Sequence, residues 1–318
     1  LLSHDFKENE TYRAAKQIGL EFAGLGSHLI NLKKHNRVAL LLSNESLTAL
    51  DWFPIRKNED GSKFRYNDVV RYIYDALYEI NVECDILWPE SEELSDYDLL
   101  ILPAMYTADE KLLLRIADYV EQGGHLLATF KTAFTNENVK VYSDVQPHIL
   151  NRCFGVSYSH FTYPNHLQLA TDHYFCGEKE VRGFLELLNV EQNSVQVLAT
   201  YDHPSWGRFA AVTRNTCGKG TATYLGCQTT KAMLKEILRD TLNDAGIADA
   251  ADHPEFPVII RTGINQFGKE IVYYLNYSPK EQIVTYQGID GVELFGDTPV
   301  KEGETVHIPA WDLKIIER

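Results

Sequence analysis

The chain has 318 residues, 44% of them hydrophobic, and 45 acidic against 30 basic side chains give it a formal charge of −15. That length exceeds the roughly 100–200 residues of an ordinary single domain, so two domains, or one with an appendage, are expected. The apolar content excludes a disordered chain. The negative charge argues against a nucleic-acid partner, which is held mainly by Lys and Arg neutralising phosphates, and no stretch approaches the roughly 20 continuous apolar residues of a membrane span.

The first predicted element is a helix over residues 8–30, "ENETYRAAKQIGLEFAGLGSHLI". It places Tyr12, Ala15, Ile18, Phe22, Leu25 and Leu29 at spacings of three and four, one apolar stripe. Nothing in the chain is an obvious partner for that stripe. It packs on the next domain or belongs to an upstream one, and the start "LLSHDF", without Met, a charged n-region or an apolar h-region, reads as a cut from a longer protein.

"RVALLLSN" (37–44) is apolar enough to be a strand buried on both faces, and the polar loop "RKNEDGSKF" and the helix "NDVVRYIYDALYEIN" follow. "VECDILWP", "YDLLILPA", the helix "ADEKLLLRIADYVEQGG" and "HLLATF" complete a β-α-β-β-α-β run. Strands alternating with helices predict a mainly parallel sheet covered on both faces, a flavodoxin-like α/β three-layer domain. Gly123-Gly124 ends the last helix, because glycine accepts the left-handed conformation of a helix C-terminus.

Residues 131–190 read as loop-rich, with "PHILNRCFG", "YPNHLQLATDHYF" and "EVRGFLELLN". Regular pattern returns with "SVQVLATYD" and with "GRFAAVTRN" and "KGTATYLGC", joined by the tight turn "TCGKG". The amphipathic helix "KAMLKEILRDTLNDAG" closes the domain, and "IADAADHPEFP" reads as a linker. Beyond it the periodicity switches to two: a hairpin around Asn265–Gly268, then the short strands "VELFGD", "ETVHIPA" and "DLKIIER". An all-β segment of roughly 60 residues is marginal alone and leans on a neighbour. The chain carries no internal repeat and no low-complexity segment.

Candidate chemistry is sparse. The corner Thr129–Thr135 is where many α/β enzymes carry a nucleophile, yet a nucleophile elbow wants Ser or Cys between small residues. Phe130 and Lys131 stand there instead, and the nearest cysteine is Cys153. Sugar hydrolysis needs two carboxyl groups some 5–9.5 Å apart, but Glu45, Asp85 and Asp109 are paired with no second acid that the sequence reveals. His160, His166 and His173, with Cys176, lack the spacing that puts two ligands on one helical face. "CGKG" at 217–220 is a hairpin turn rather than a phosphate loop. The five cysteines, Cys84, Cys153, Cys176, Cys217 and Cys227, include no C-x-x-C pair, which argues against a disulfide framework and a zinc ribbon and for reduced thiols in a cytoplasmic protein. Trp52, Trp206, Tyr201 and Tyr163, in loops or at element ends, either stack on a sugar ring, anchor an interface, or are buried beneath loops.

Several stretches carry a resemblance. "LLSHDFKENETYRAAKQIG" resembles the segment that leaves the catalytic barrel of glycoside hydrolase family 42 β-galactosidases. "YDALYEINVECDIL", "YDLLILPAMYTADE", "YVEQGGHLLATFKTAFTNENV" and "AAVTRNTCGKGTATYLG" are similar to that family's trimerisation domain. The resemblance implies a class I glutamine-amidotransferase-like fold without its nucleophile, which builds a homotrimer, and a small all-β C-terminal domain. It implies the partition 1–34, connector helix from a barrel; 35–250, α/β trimerisation domain; 251–318, β domain. The family's two catalytic glutamates, acid/base and nucleophile of a retaining mechanism, lie in a (β/α)8 barrel outside this region. No catalytic residue, metal ligand or cofactor is therefore expected here, and the expected function is the non-catalytic C-terminal portion of a cytoplasmic β-galactosidase that hydrolyses terminal β-galactosides. The alternatives are an independent amidotransferase-like or hydrolase α/β enzyme using the carboxyl ends of the strands, or a stand-alone sugar-binding module using Trp52, Trp206 and Tyr201.

Overall fold

The computed structural model describes residues 1–57, 60–247 and 254–318. Two residues of the polar loop "RKNEDGSKF", 58–59, and most of the expected linker lie outside these residues. The chain divides into two compact units, one of Asn36–Asp252 and one that joins Leu1–His35 to His253–Arg318.

The larger unit is built on β1 (Val38–Leu41), α2 (Asn44–Trp52), α3 (Tyr66–Glu79), β2 (Asp85–Leu87), β3 (Leu99–Leu102), α4 (Glu110–Glu121) and β4 (His125–Thr129), with α1 (Glu10–Leu29) preceding it in the other unit. A short helix α5 (Asn151–Phe154) is followed by β5 (Leu167–Ala170), β6 (Glu180–Glu186), β7 (Gln196–Tyr201), β8 (Ala210–Cys217), β9 (Gly220–Leu225), β10 (Cys227–Thr229) and α6 (Lys231–Asp244). The strands run in the order β10-β6-β5-β7-β8-β9-β4-β3-β1-β2. From β9 to β2 every pairing is parallel, and from β9 back to β10 every pairing is antiparallel. The parallel half, β2-β1-β3-β4-β9, has the flavodoxin-like order.

Every residue of β1 and β3 is buried, as their unbroken apolar runs predict. Val38 and Leu40 join Val69, Ile73 and Leu77 of α3 and Leu234, Ile237 and Leu238 of α6 on one face. Ala39 and Leu41 join Leu113, Ile116 and Val120 of α4 on the other. This is the two-residue alternation of a strand serving two cores, and each fully buried Leu or Ile contributes about 2 kcal/mol. Helix α2 is not evident from periodicity. Ser43 starts it by accepting the Ser46 amide at 3.0 Å.

The stretch expected to be loop-rich supplies β5 and β6, so the sheet extends further than its apolar pattern suggested. One face of this half is pinned to α6 by charge. Arg214 on β8 lies 2.9 Å from Asp240 and 3.6 Å from Asp244, one helical turn apart, while His173 and His125 approach the same two carboxylates at 3.1 and 3.3 Å. Burial alone would raise Asp244, but bonds from His125 and Thr221 and the Arg214 charge hold its carboxyl below the ordinary range.

In the smaller unit the predicted hairpin is present as β11 (Val258–Ile264) and β12 (Glu270–Asn276). The Asn265 side chain closes its turn by accepting the amides of Phe267 at 2.9 Å and Lys269 at 3.1 Å. Strands β13 (Gln282–Thr285), β14 (Gly291–Glu293), β15 (Thr298–Val300), β16 (Thr305–Ile308) and β17 (Leu313–Glu317) complete it, with β17 pairing to β12 and β14 and β13 to β16. Helix α1 buries no residue, but the chain after it joins the sheet edge through Lys33 and Ile264, which exchange amide bonds of 2.8 and 2.7 Å. His28 reaches Glu317 at 2.7 Å. Ile18 is 54% and Phe22 38% exposed, while Leu25 and Leu29 are half-buried.

The close approach of β9 to the end of α4 permits no side chain at its first residue. A Cβ on Gly220 would overlap the carbonyl oxygens of Gly124 and Val120, backbone atoms that cannot swing away. Gly220→Ala is expected to lose about 3 kcal/mol of stability, read as a lower urea midpoint at unchanged slope.

Candidate functional site

Two places in the α/β unit are where enzymes of this architecture do chemistry, and both lie at the carboxyl ends of parallel strands. The first is the corner after β4. It is a strained elbow: Lys131 has φ +66° and Ala133 φ +56°, a conformation that non-glycine residues avoid. The turn is held by Thr132 Oγ1 donating to the Thr129 carbonyl at 2.7 Å and by Ala104 N–H donating to Thr129 Oγ1 at 2.8 Å. The elbow is thus formed, with lysine at the position expected to exclude bulky side chains.

Room for Lys131 is made by aromatic rings from elsewhere in the sequence. Its Nζ sits 3.5 Å from the ring centre of Phe161, 4.2 Å from Phe134 and 5.1 Å from Phe184. Glu186, at the end of β6, is fully buried behind the elbow and accepts the Lys131 amide at 2.8 Å and the Tyr224 hydroxyl at 2.8 Å. Burial pushes the Lys131 amine down to about 8 despite the Glu186 charge, and burial pushes the Glu186 carboxyl up to about 7 despite Lys131 and its hydrogen bonds. The rings favour the ammonium form. Lys131 is only 7% exposed, and its side chain fills the elbow.

The second place is the crevice where the strand order reverses between β1 and β3. It has a volume of about 360 Å³ and brings together Glu45 and Asp109, which sequence reasoning could not pair, with Glu137, Lys111 and Arg115. Asp85 stays apart, bound by Asn36 at 2.7 Å and Tyr97 at 2.9 Å. Glu45, Asp109 and Glu137 are all exposed, so none stands in the dry pocket that a general acid needs. The helix N-termini beside the crevice are already satisfied: Ser43 caps α2, and Asp109 caps α4 by accepting the Leu112 amide at 2.8 Å. Ser46 in the first turn of α2 and Thr107 in the loop after β3 are tied together through bonds of 3.0 and 3.2 Å.

The remaining candidates disperse. His160, His166 and His173 are exposed and form no cluster with Cys176, and "CGKG" is the β8–β9 turn with Gly218 at φ +64°. Tyr201 is buried and donates to the Glu186 carbonyl at 2.7 Å, which removes it as a sugar platform. Trp206 is half-buried and stacks on His203 at 4.3 Å, whereas Trp52 is 80% exposed at the end of α2. Tyr163 is also exposed, its hydroxyl donating to the Ile55 carbonyl at 3.2 Å. Among the described residues one group could approach a metal, Glu121, Cys153 and Cys217, whose ligand atoms lie within 4.8 Å of one another. The two sulfurs are 2.6 Å apart, too close for two thiolates on one zinc ion, which stand about 3.7 Å apart at ordinary Zn–S distances.

The model of the β-galactosidase trimerisation domain family matches residues 36–248. The chain belongs to that family. Among trimerisation-domain relatives, the β-galactosidase BgaP of Planococcus sp. (strain L4) is 25% identical over 315 residues, covering 96% of this chain and 45% of that protein. The β-galactosidase LacZ of Heyndrickxia coagulans is 26% identical over 304 residues, covering 93% and 44%. The crystal structure of the β-galactosidase from Bacillus circulans sp. alkalophilus shares the fold with a TM-score of 0.88 at 22% identity, over 100% of this chain and 46% of that one. The chain therefore spans about half the length of the curated relatives it matches. Among the described residues no helix is long and apolar enough to cross a membrane.

The linkage at the elbow has a definite sign. A carboxyl raised from 4.5 to about 7 contributes stability that is complete below about 4.5 and is lost as pH rises to about 7. The native chain is expected to lose stability relative to Glu186→Gln over that window, on the order of 1 kcal/mol per pH unit. Urea titrations at several pH values read the difference, and parallel pH profiles would refute it.

Proposed function

We propose that this chain is the non-catalytic C-terminal portion of a β-galactosidase, and that its α/β unit assembles three subunits into a homotrimer. The observation that carries this reading is the match of residues 36–248 to the trimerisation domain. The filled elbow and the self-capped crevice support it, because the two positions at which the fold would act on a substrate are occupied by the chain's own groups.

In this reading residues 1–34 are the connector from a (β/α)8 barrel that bears both catalytic glutamates, 35–250 form the assembly domain, and 251–318 form a small β cap. The exposed Ile18 and Phe22 on α1 suit a barrel partner, since an apolar stripe of this kind seeks cover. The whole protein hydrolyses terminal β-galactosides with retention. It works in the cytoplasm, in keeping with a Cys complement that includes no C-x-x-C pair. A closed ring of heterologous contacts is the symmetry of the trimer.

Light scattering behind a sizing column is expected to give about 109 kDa, three times 36.3 kDa, with no turnover of a chromogenic β-galactoside in the same peak. A monomer at micromolar concentration would refute self-assembly by this chain, and hydrolysis by a clean sample would refute its non-catalytic role.

A further inference from the structure

We propose that Cys153 and Cys217 are a dithiol modification site that closes to a reversible disulfide when the protein meets a low-molecular-weight disulfide. The sequence hides the pair, because 64 residues separate the two positions. The fold brings them together with little freedom. The Asn215 side chain on β8 donates to the Cys153 carbonyl at 2.8 Å, and Cys217 lies two residues further along the same strand, so both face α5. Phe154 packs on Tyr224 of the neighbouring strand at 4.9 Å between ring centres, a second hold on α5 from the same face of the sheet. The sulfurs end 2.6 Å apart, inside van der Waals contact and nearer to a bond than to two ligands of one metal ion.

The two thiols are not equivalent. Cys153 is fully buried; its bond to Cys217, then burial, raises its thiol far above the ordinary range. Cys217, 7% exposed at the mouth of the β8–β9 turn, is lowered by the same bond and by the Arg152 guanidinium, against the opposing effects of burial and Glu121. Cys217 is therefore the attacking group. Its thiolate displaces one thiolate from the small disulfide and forms a mixed disulfide. Cys153 loses its proton and attacks the Cys217 sulfur, and the second small thiolate leaves. The protein loses two protons and two electrons, which the small disulfide takes up to become two thiols. The new bond would tie α5 to the turn that packs against the end of α4, where a Cβ on Gly218 would overlap the Glu121 backbone.

The test incubates the folded chain with oxidised glutathione, blocks remaining thiols by alkylation, and measures intact mass and non-reduced peptides. The expected result is an intact mass with alkyl groups on the three other cysteines only and two hydrogen atoms fewer at the pair, a Cys153–Cys217 cross-linked peptide, and a melting temperature raised by several degrees that dithiothreitol reverses. Cys217→Ser is expected to show neither the cross-link nor the rise. The proposal is overturned if both thiols remain alkylatable, if glutathione stays attached at Cys84 or Cys176 alone, or if one equivalent of Zn²⁺ binds and protects both thiols.

Discussion

The parallel pairing of β9 with β4 is the constraint on which the larger unit depends. Before it the sheet is a flavodoxin-like set of parallel strands, and beyond it an antiparallel extension; β9 belongs to both. A strand can dock there only if its backbone comes within reach of the end of α4, and Gly220 leaves that space against the Gly124 and Val120 carbonyls. At the other end of the same strand, the Leu225 carbonyl accepts the Phe130 amide at 2.8 Å and Tyr224 reaches Glu186. One strand therefore sets both the seam of the sheet and the wall of the elbow.

That geometry also sets what fills the corner where this architecture often carries a nucleophile. The corner after β4 retains positive-φ backbone, which is costly and usually kept where it serves function. Here the strain presents an ammonium to three phenylalanine rings, with a buried carboxylate behind it. Charge, ring and carboxylate meet one another inside the corner. The crevice at the strand reversal follows the same logic, since its helix ends are capped by Ser43 and Asp109 before any anion could use them.

The smaller unit shows a different economy. Its sheet buries a short apolar list, and Glu317 does much of the joining, accepting from Lys269 at 2.7 Å and Asn265 at 2.9 Å while meeting His28. Burial would raise that carboxyl, yet the His28 and Lys269 bonds hold it low. The link brings the end of α1 to the sheet but leaves the rest of the helix's stripe uncovered.

The elements that write themselves in periodicity were legible in the sequence. The buried runs of β1 and β3, the amphipathic α3, α4 and α6, and the turns at 217–220 and 265–268 need only short-range spacing. That Phe130 and Lys131 stand at the corner 129–135 was also legible, because it is a matter of residue type. Helix α2 and strands β5 and β6 were not, since their stability comes from a single cap or from neighbours distant in sequence. Glu45 and Asp109 could be named but not paired, and Lys131 could be located but not surrounded. Phe161 and Phe184 reach it from 30 and 53 residues away, and Cys217 reaches Cys153 across 64. Local spacing determined the elements and the residue types at each corner; only tertiary packing, which brings distant side chains within a few ångströms, decided what fills the elbow and which thiols meet.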